Sequence, residues 1–208
     1  MRSILVVNPK GGCGKTTIAT NLATYYAVWN TSVALVDLDP QQSSLQWLRV
    51  RPDTESKIQG FNGLKGEIYP AEGTQRVIYD APARTDNAKL AKLIKLVDVV
   101  LIPVLPSAID MRVTATFVAD LVKRISNQNA RAKFGVVANR AQRHYKAHEA
   151  LTRFLKALEI PTVGMLRNSQ NYIRAADSGI GVFEMTLSDT KEEMKEWESI
   201  IRWIEQND

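Results

Sequence analysis

Cysteine is almost missing from this chain: its 208 residues include one, Cys13. One thiol closes no internal disulfide, which excludes a disulfide-stapled secreted scaffold and points to a reducing compartment, most simply the cytoplasm. It also argues against an iron–sulfur cluster shared between subunits, because such clusters take several thiolates. Long apolar runs are missing as well. The longest, Val97 to Leu105, is interrupted by Asp98 and Pro103, so no segment reads as a membrane span. Arg2 leads into a strand pattern and a glycine turn, not into a cleavable signal. Internal repeats, low-complexity tracts and linkers are not found, and one domain covering residues 1–208 is expected.

What is present is ordinary in amount and uneven in place. Apolar residues make up 45% and charged residues 24%, the proportions of a soluble globular protein able to bury a large core. The net charge of +5 is concentrated. Lys123 to Arg174 holds eleven Lys/Arg against two acids, Glu149 and Glu159, whereas Glu184 to the end holds eight acids against three bases. A basic middle segment suggests an anionic macromolecular partner, against the plainer alternative of a solvated basic surface.

Apolar strand patterns alternate with helical ones along the whole chain. Strands are predicted at Ile4 to Val7, Ser32 to Val36, Arg76 to Tyr79, Val99 to Val104, Phe134 to Ala138 and Thr162 to Met165. The polar stretch 51–74, with four glycines and two prolines, is expected to be a loop with one short strand near Ile68. Helices are predicted from Lys15, over Gln42 to Val50, Leu90 to Leu96, Ser107 (as N-cap) to Asn127, Arg143 to Leu158, within Asn168 to Ser178, and over Thr190 to Gln206. The last presents Met194, Trp197, Ile201 and Ile204 on one face. This is the pattern of an α/β protein: a three-layer, doubly wound, mostly parallel sheet with helices on both faces.

Residues 4 to 17, Ile-Leu-Val-Val-Asn-Pro-Lys-Gly-Gly-Cys-Gly-Lys-Thr-Thr, join a strand, a glycine turn and a helix start. Backbone N–H groups freed by Gly11, Gly12 and Gly14 converge on one locus, where the helix dipole adds positive character. Lys15 brings a full charge to the β/γ-phosphates of a nucleotide, and the Thr16 hydroxyl is placed to ligate Mg²⁺. The usual Gly-x-x-x-x-Gly-Lys-[Ser/Thr] pattern has a glycine where this chain has Pro9, and an extra lysine, Lys10, precedes the glycines. In this form the stretch resembles the deviant P-loop of the ParA/MinD group of ATPases, whose signature is that lysine. The resemblance implies a deviant Walker A P-loop NTPase that binds ATP and Mg²⁺ through Lys10, Gly11, Gly12, Cys13, Gly14, Lys15, Thr16 and Thr17. Cys13 occupies the variable loop position and reads as a small filler rather than a redox switch.

Three carboxylates fall at strand ends, where open parallel sheets bind their ligands: Asp37, Asp39 and Asp80. Asp80 follows Val77-Ile78-Tyr79 as a Walker B aspartate follows its strand, towards Mg²⁺ directly or through water. Alone it would read as a turn former. Asp37-x-Asp39-Pro40-Gln41 resembles the family's switch I, in which the second aspartate orients the attacking water. Asp39 takes that role here, and joins Thr16 and Asp80 on the metal side. Asp37 is either a supporting group near the metal and P-loop or a purely structural one. The resemblance further implies that Lys10 reaches across a nucleotide-sandwich homodimer to the partner's phosphates, like an arginine finger. Asn139-Arg140, at a late strand end, matches the pair that the family sets beside the adenine ring, although a turn-forming Asn is the plainer alternative.

The likeness extends from the P-loop to the segment Leu166 to Phe183, and the chain looks like the small ParA type, without an N-terminal helix-turn-helix domain. Sequence-specific operator binding is therefore not expected. The family pattern implies an ATPase, weak alone, whose ATP dimer binds DNA without sequence preference. A ParB-like or adaptor partner then stimulates hydrolysis and release, so that plasmid, chromosome or protein cargo is segregated or positioned on the nucleoid. The candidate DNA contacts are Arg174, in Tyr172-Ile173-Arg174-Ala175-Ala176-Asp177, and Arg167, extended by Arg143, Lys146, Arg153 and Lys156. A MinD-like membrane cycle would need a basic amphipathic tail, and the closing helix is acidic, so no membrane partner is expected. A metabolic ligase of the dethiobiotin synthetase type on the same scaffold is the remaining alternative.

Overall fold

The computed structural model describes residues 1–66, 68–128, 131–142 and 146–206, without the side chains of residues 87, 124–128 and 146–148. Among these residues seven strands, β1 (Arg2–Val6), β2 (Val33–Asp37), β3 (Gln59–Asn62), β4 (Arg76–Asp80), β5 (Val99–Val104), β6 (Lys133–Ala141) and β7 (Thr162–Arg167), form one sheet. Its order is β3-β2-β4-β1-β5-β6-β7, and every neighbouring pair is parallel. Seven α-helices accompany them: α1 (Lys15–Val28), α2 (Ser43–Arg49), α3 (Asn87–Leu96), α4 (Ala108–Gln128), α5 (Lys146–Lys156), α6 (Gln170–Asp177) and α7 (Leu187–Glu205), with a 3₁₀ turn at Val182–Glu184.

The strands are near-continuous apolar runs because both faces of a parallel sheet are covered. Alternate residues of one strand therefore enter different cores. Ile4 and Val6 of β1 join α1, Trp47 of α2, Tyr172 of α6 and Trp197, Ile200 and Ile204 of α7 on one face. Leu5 of β1 and the following Val7 join Leu90 and Ile94 of α3, Val118 and Leu121 of α4, and Leu151 and Leu155 of α5 on the other. This is the three-layer, doubly wound arrangement expected from the sequence. The closing helix is drawn tight against β7, because a Cβ on Gly164 would stand 2.3 Å from Ile200 Cγ1. Its apolar stripe is consumed there, with Trp197 donating from Nε1 to the Tyr172 hydroxyl at 3.1 Å. Its last turn is held by Glu205, which accepts from Tyr26 at 2.6 Å and from Arg76 Nη2 at 2.6 Å.

Three local differences from the sequence expectation have physical reasons. The short strand of the 51–74 stretch is Gln59–Asn62, at the sheet edge beside β2, and not near Ile68. Ile68 is apolar because it packs on Ala34, Val36 and Val77. Strand β6 does not end at Ala138 but continues to Ala141 through a register shift, which lifts Asn139 and Arg140 out of the ladder. Helix α7 begins at Leu187, three residues before Thr190, with Thr186 as its cap.

The chain reverses its direction of growth about β1. Helix α1 leads from β1 towards β2 and β3, whereas α3 leads from β4 across to β5, β6 and β7. The carboxyl ends of β1, β2 and β4 therefore open at one crevice, with Val6 in register with Asp80 and Asp80 in register with Asp37.

Candidate functional site

The glycine turn is built against two supports. Asn8 is fully buried; its amide donates to the Pro103 carbonyl at 2.7 Å and to Thr114 Oγ1 at 3.0 Å, and its Oδ1 accepts from Lys10 N at 2.9 Å. The start of the loop is thereby tied to β5 and α4. Gly12 and Gly14 have φ of 74° and 96°, in the left-handed region. Gly14 is constrained a second time: a Cβ there would lie 2.0 Å from Asn139 Nδ2. That amide donates to the Cys13 carbonyl at 2.8 Å. Lys15 is buried and donates to the Lys10 carbonyl at 3.2 Å. The Cys13 thiol is buried, and burial pushes its pKa up while the Lys15 charge pulls it down. A protonated, enclosed thiol is a filler and not a ready nucleophile.

The three aspartates separate by environment. Asp37 is 0% exposed and its carboxylate is fully engaged. Oδ1 accepts from Asp39 N at 2.9 Å, and Oδ2 accepts from Ser44 N at 3.0 Å, Ser44 Oγ at 2.7 Å and Leu45 N at 3.2 Å. It holds the start of α2 and the turn before it, which carries Asp39. Asp39 is half-buried at the cleft wall, with Oδ1 accepting from Gln41 N at 2.9 Å. Asp80 is 1% exposed; its Oδ2 accepts from the Thr16 hydroxyl at 2.8 Å, and its Oδ1 is buried without a partner. Burial, reinforced by Asp37 and Asp39, pushes the Asp80 pKa up to about 7 against the opposing Thr16 bond and Lys15 charge. A buried acceptor oxygen with no donor, beside a hydroxyl at the end of a phosphate loop, is the donor set of a hard cation, so the residues fit Mg²⁺.

The glycine turn and Asp39 border a cleft of about 720 Å³ lined by Gly11, Gly12, Gly14, Lys15, Thr16, Thr17, Asp39, Arg84 and Arg140, among others. Lys10 is not among its lining residues, and its ammonium has no hydrogen-bond or ionic partner among the described residues. Asn139 is buried and spends its amide on the P-loop, while its Oδ1 accepts from Arg140 N at 2.9 Å. The side chain exposed at that strand end is Arg140, with φ of 51°. The sequence reading missed Arg84, whose one signal was its place four residues after Asp80.

The basic candidates divide as well. Arg174 is exposed, and its guanidinium is steadied by Asn171 Oδ1 at 3.0 Å; the Asn171 amide in turn donates to buried Glu193 at 3.0 Å. Arg167 instead faces Glu196 at 2.9 Å and Glu192 at 3.3 Å on α7, so its charge is balanced within the chain. Arg153 and Lys156 are exposed on α5. Arg143 and the Lys146 side chain lie outside the described residues. Among the described residues no helix is long and apolar enough to cross a membrane.

Known proteins give the arrangement its context. Maintenance of carboxysome distribution protein A of Halothiobacillus neapolitanus is 28% identical over 191 residues, 88% of this chain and 87% of its own. A putative plasmid partition protein of Borrelia burgdorferi, solved with AMPPNP, superposes with a TM-score of 0.71 at 17% identity, covering 97% of this chain and 99% of that one. The ATP complex of an aspartate-to-alanine variant of Cyanothece McdA gives a TM-score of 0.70 at 18% identity, covering 100% and 98%. At such identities the two structures show a shared fold. The family model that describes the CobQ/CobB/MinD/ParA nucleotide binding domain matches residues 4–182, and the chain belongs to this ParA/MinD family of nucleotide-binding proteins.

Proposed function

We propose that the chain is a single-domain ATPase switch. ATP joins two copies, the dimer holds DNA without sequence preference, and an activating partner triggers hydrolysis while cargo is segregated or positioned. The observation that carries this reading is the division of labour between two lysines on one turn. Lys15 lines its own cleft, whereas Lys10 stands outside it without a partner among the described residues. A cation so placed is free to meet phosphates brought by a second copy. Positioning as the purpose is supported by the carboxysome-distribution relative.

The geometry supports these roles. The glycine N–H groups and Lys15 bind the phosphates. Thr16 and Asp80 would hold Mg²⁺, which when bound offsets phosphate charge. Asp39, at the cleft wall, accepts a hydrogen bond from the attacking water and turns its lone pair towards phosphorus. Asp37 fixes the turn that carries Asp39 and does not touch the nucleotide. Asn139 supports the loop from behind, and Arg140 faces the bound nucleotide. DNA is held by Arg174 with Arg153 and Lys156, as exposed cations release counterions on binding phosphate. The apolar face of α7 is buried in the core, which leaves that helix no stripe to lay on lipid.

Sedimentation with and without ATP, followed by DNA retention across a salt series, tests the reading. ATP-dependent dimers that retain unrelated DNA sequences at low salt support it. Monomers under all nucleotide conditions, or retention by anionic vesicles instead of DNA, would overturn it.

A further inference from the structure

The loop between β4 and α3 carries a cation to which the proposed function gives no task. Asp80 ends β4, and Asp86 caps α3 by accepting from the backbone N–H groups of Ala88 at 2.8 Å and Lys89 at 3.2 Å. The residues between, 81–85, run between two fixed posts. Ala83 lies against the P-loop, since a Cβ built on Gly11 would stand 3.9 Å from its Cβ. Pro82, Ala83 and Arg84 all line the phosphate cleft. Arg84 is exposed and has no hydrogen-bond or ionic partner among the described residues.

The direction of the bound nucleotide gives this cation its meaning. At one end of the turn Asn139, with Arg140 next in the chain, stands beside Cys13 and Gly14; at the other Ala83, with Arg84 next in the chain, lies against Gly11, and both arginines line the cleft. A triphosphate whose base lies on the Arg140 side runs its last phosphate towards Arg84. A diphosphate stops short of it. With Lys10 outside the lining, Lys15 is the P-loop's own cation in the cleft and Arg84 the next one available at that end. A guanidinium presents two parallel N–H groups that match two oxygens of one phosphate, so it reads a terminal phosphate as a shape as well as a charge.

We propose that Arg84 is the γ-phosphate reader of this cleft: its guanidinium binds the terminal phosphate of ATP and leaves ADP untouched, so that the 81–85 loop takes one position for each nucleotide. The inference rests on the nucleotide-site reading above and adds to it the residue that distinguishes triphosphate from diphosphate. Dissociation constants for AMPPNP and for ADP, each with Mg²⁺, are measured by calorimetry on the parent chain, Arg84→Ala and Arg84→Lys. Arg84→Ala should lose tenfold or more in AMPPNP affinity while ADP affinity stays within twofold. Arg84→Lys should recover part of the loss, because an ammonium restores the charge without the fork. Equal weakening for both nucleotides, or no change for either, would overturn the assignment. A parent chain that binds neither nucleotide would instead remove the site reading on which it stands.

Discussion

Burial of Asp80 makes the stability of the ligand-free protein depend on pH, and the size of the effect follows from the site. The carboxyl is 1% exposed, accepts one hydroxyl and leaves Oδ1 unpaired. Burial first, then the neighbouring Asp37 and Asp39, move its pKa from 3.8 to about 7. The folded state therefore keeps a proton that the unfolded chain releases near pH 4. Stability falls as pH rises between those two values and stays reduced above pH 7. At about 1.4 kcal/mol for each tenfold change in proton affinity, the cost is about 2 kcal/mol at pH 5 and about 4 kcal/mol at pH 8.

Asp80→Asn removes this titration. The amide accepts from Thr16 as before and puts an NH₂ group where no acceptor waits, a cost of about 1–3 kcal/mol that is the same at every pH. The pH-dependent part can therefore be read separately. Urea unfolding of parent and variant, with chelator present, should show the variant gaining on the parent by about 2–3 kcal/mol between pH 5 and pH 8. In thermal unfolding the same gain corresponds to about 5–10 °C for a chain of this size. Mg²⁺ with AMPPNP should erase the parent's deficit, because a cation favours the ionised carboxylate. A difference between variant and parent that stays constant from pH 5 to pH 8 would refute the reasoning, since Asp80 would then ionise as freely folded as unfolded.

Asp39→Ala should bind ATP and dimerise but hydrolyse at a rate lower by about 10²-fold, giving dimers that stay on DNA; normal turnover in a phosphate-release assay would remove its water-orienting role. Arg174→Ala should still dimerise with ATP, and its DNA affinity should lose about 0.9 in salt slope for each phosphate contact removed, as read by fluorescence anisotropy. Arg167→Ala should leave that slope unchanged and lower stability by about 1 kcal/mol or less, because its partners are Glu192 and Glu196. Asn139→Ala should strand the buried Cys13 carbonyl, costing about 1–3 kcal/mol in urea unfolding whether or not nucleotide is added.

How far the site could be read in advance depended on whether a residue's work is local in the chain. The strand–turn–helix at residues 4 to 17, and the carboxylates at the ends of β2 and β4, were legible because a parallel sheet gathers its strand ends on one edge. Spacing alone assembled the P-loop. It could not separate Asp37 from Asp39: both follow the same strand, and only the folded start of α2 reveals which one is consumed by Ser44 and Leu45. Nor could it see that Asn139 turns inward, since the reason is the missing Cβ of Gly14, 125 residues earlier. The short edge strand Gln59–Asn62 escaped because one ladder on one side asks for little apolar surface, whereas Ile68 is apolar for packing alone.

Charge was the property that the linear reading placed least well. Along the chain the basic middle and the acidic end are separate blocks, which made Arg143, Arg153, Arg167 and Arg174 alike candidates for an anionic partner. Folding lays α7 beside β7, and Arg167 meets Glu192 and Glu196 there. The acidic helix thus cancels one member of the basic block and, through Glu193 and Asn171, steadies another, Arg174, with its charge still exposed. Arg84 is the converse case. It lies outside the basic block, in a loop of mixed composition, yet the same crevice that collects the aspartates also collects it. Net charge over a window measures an averaged field, whereas a phosphate responds to the few cations within about 4–6 Å, where Coulomb energy is large enough to select one nucleotide from another. In the proposed function the cations to test are those with an exposed head, no acid beside them and a fixed backbone beneath, a criterion that Arg174 and Arg84 meet and Arg167 does not.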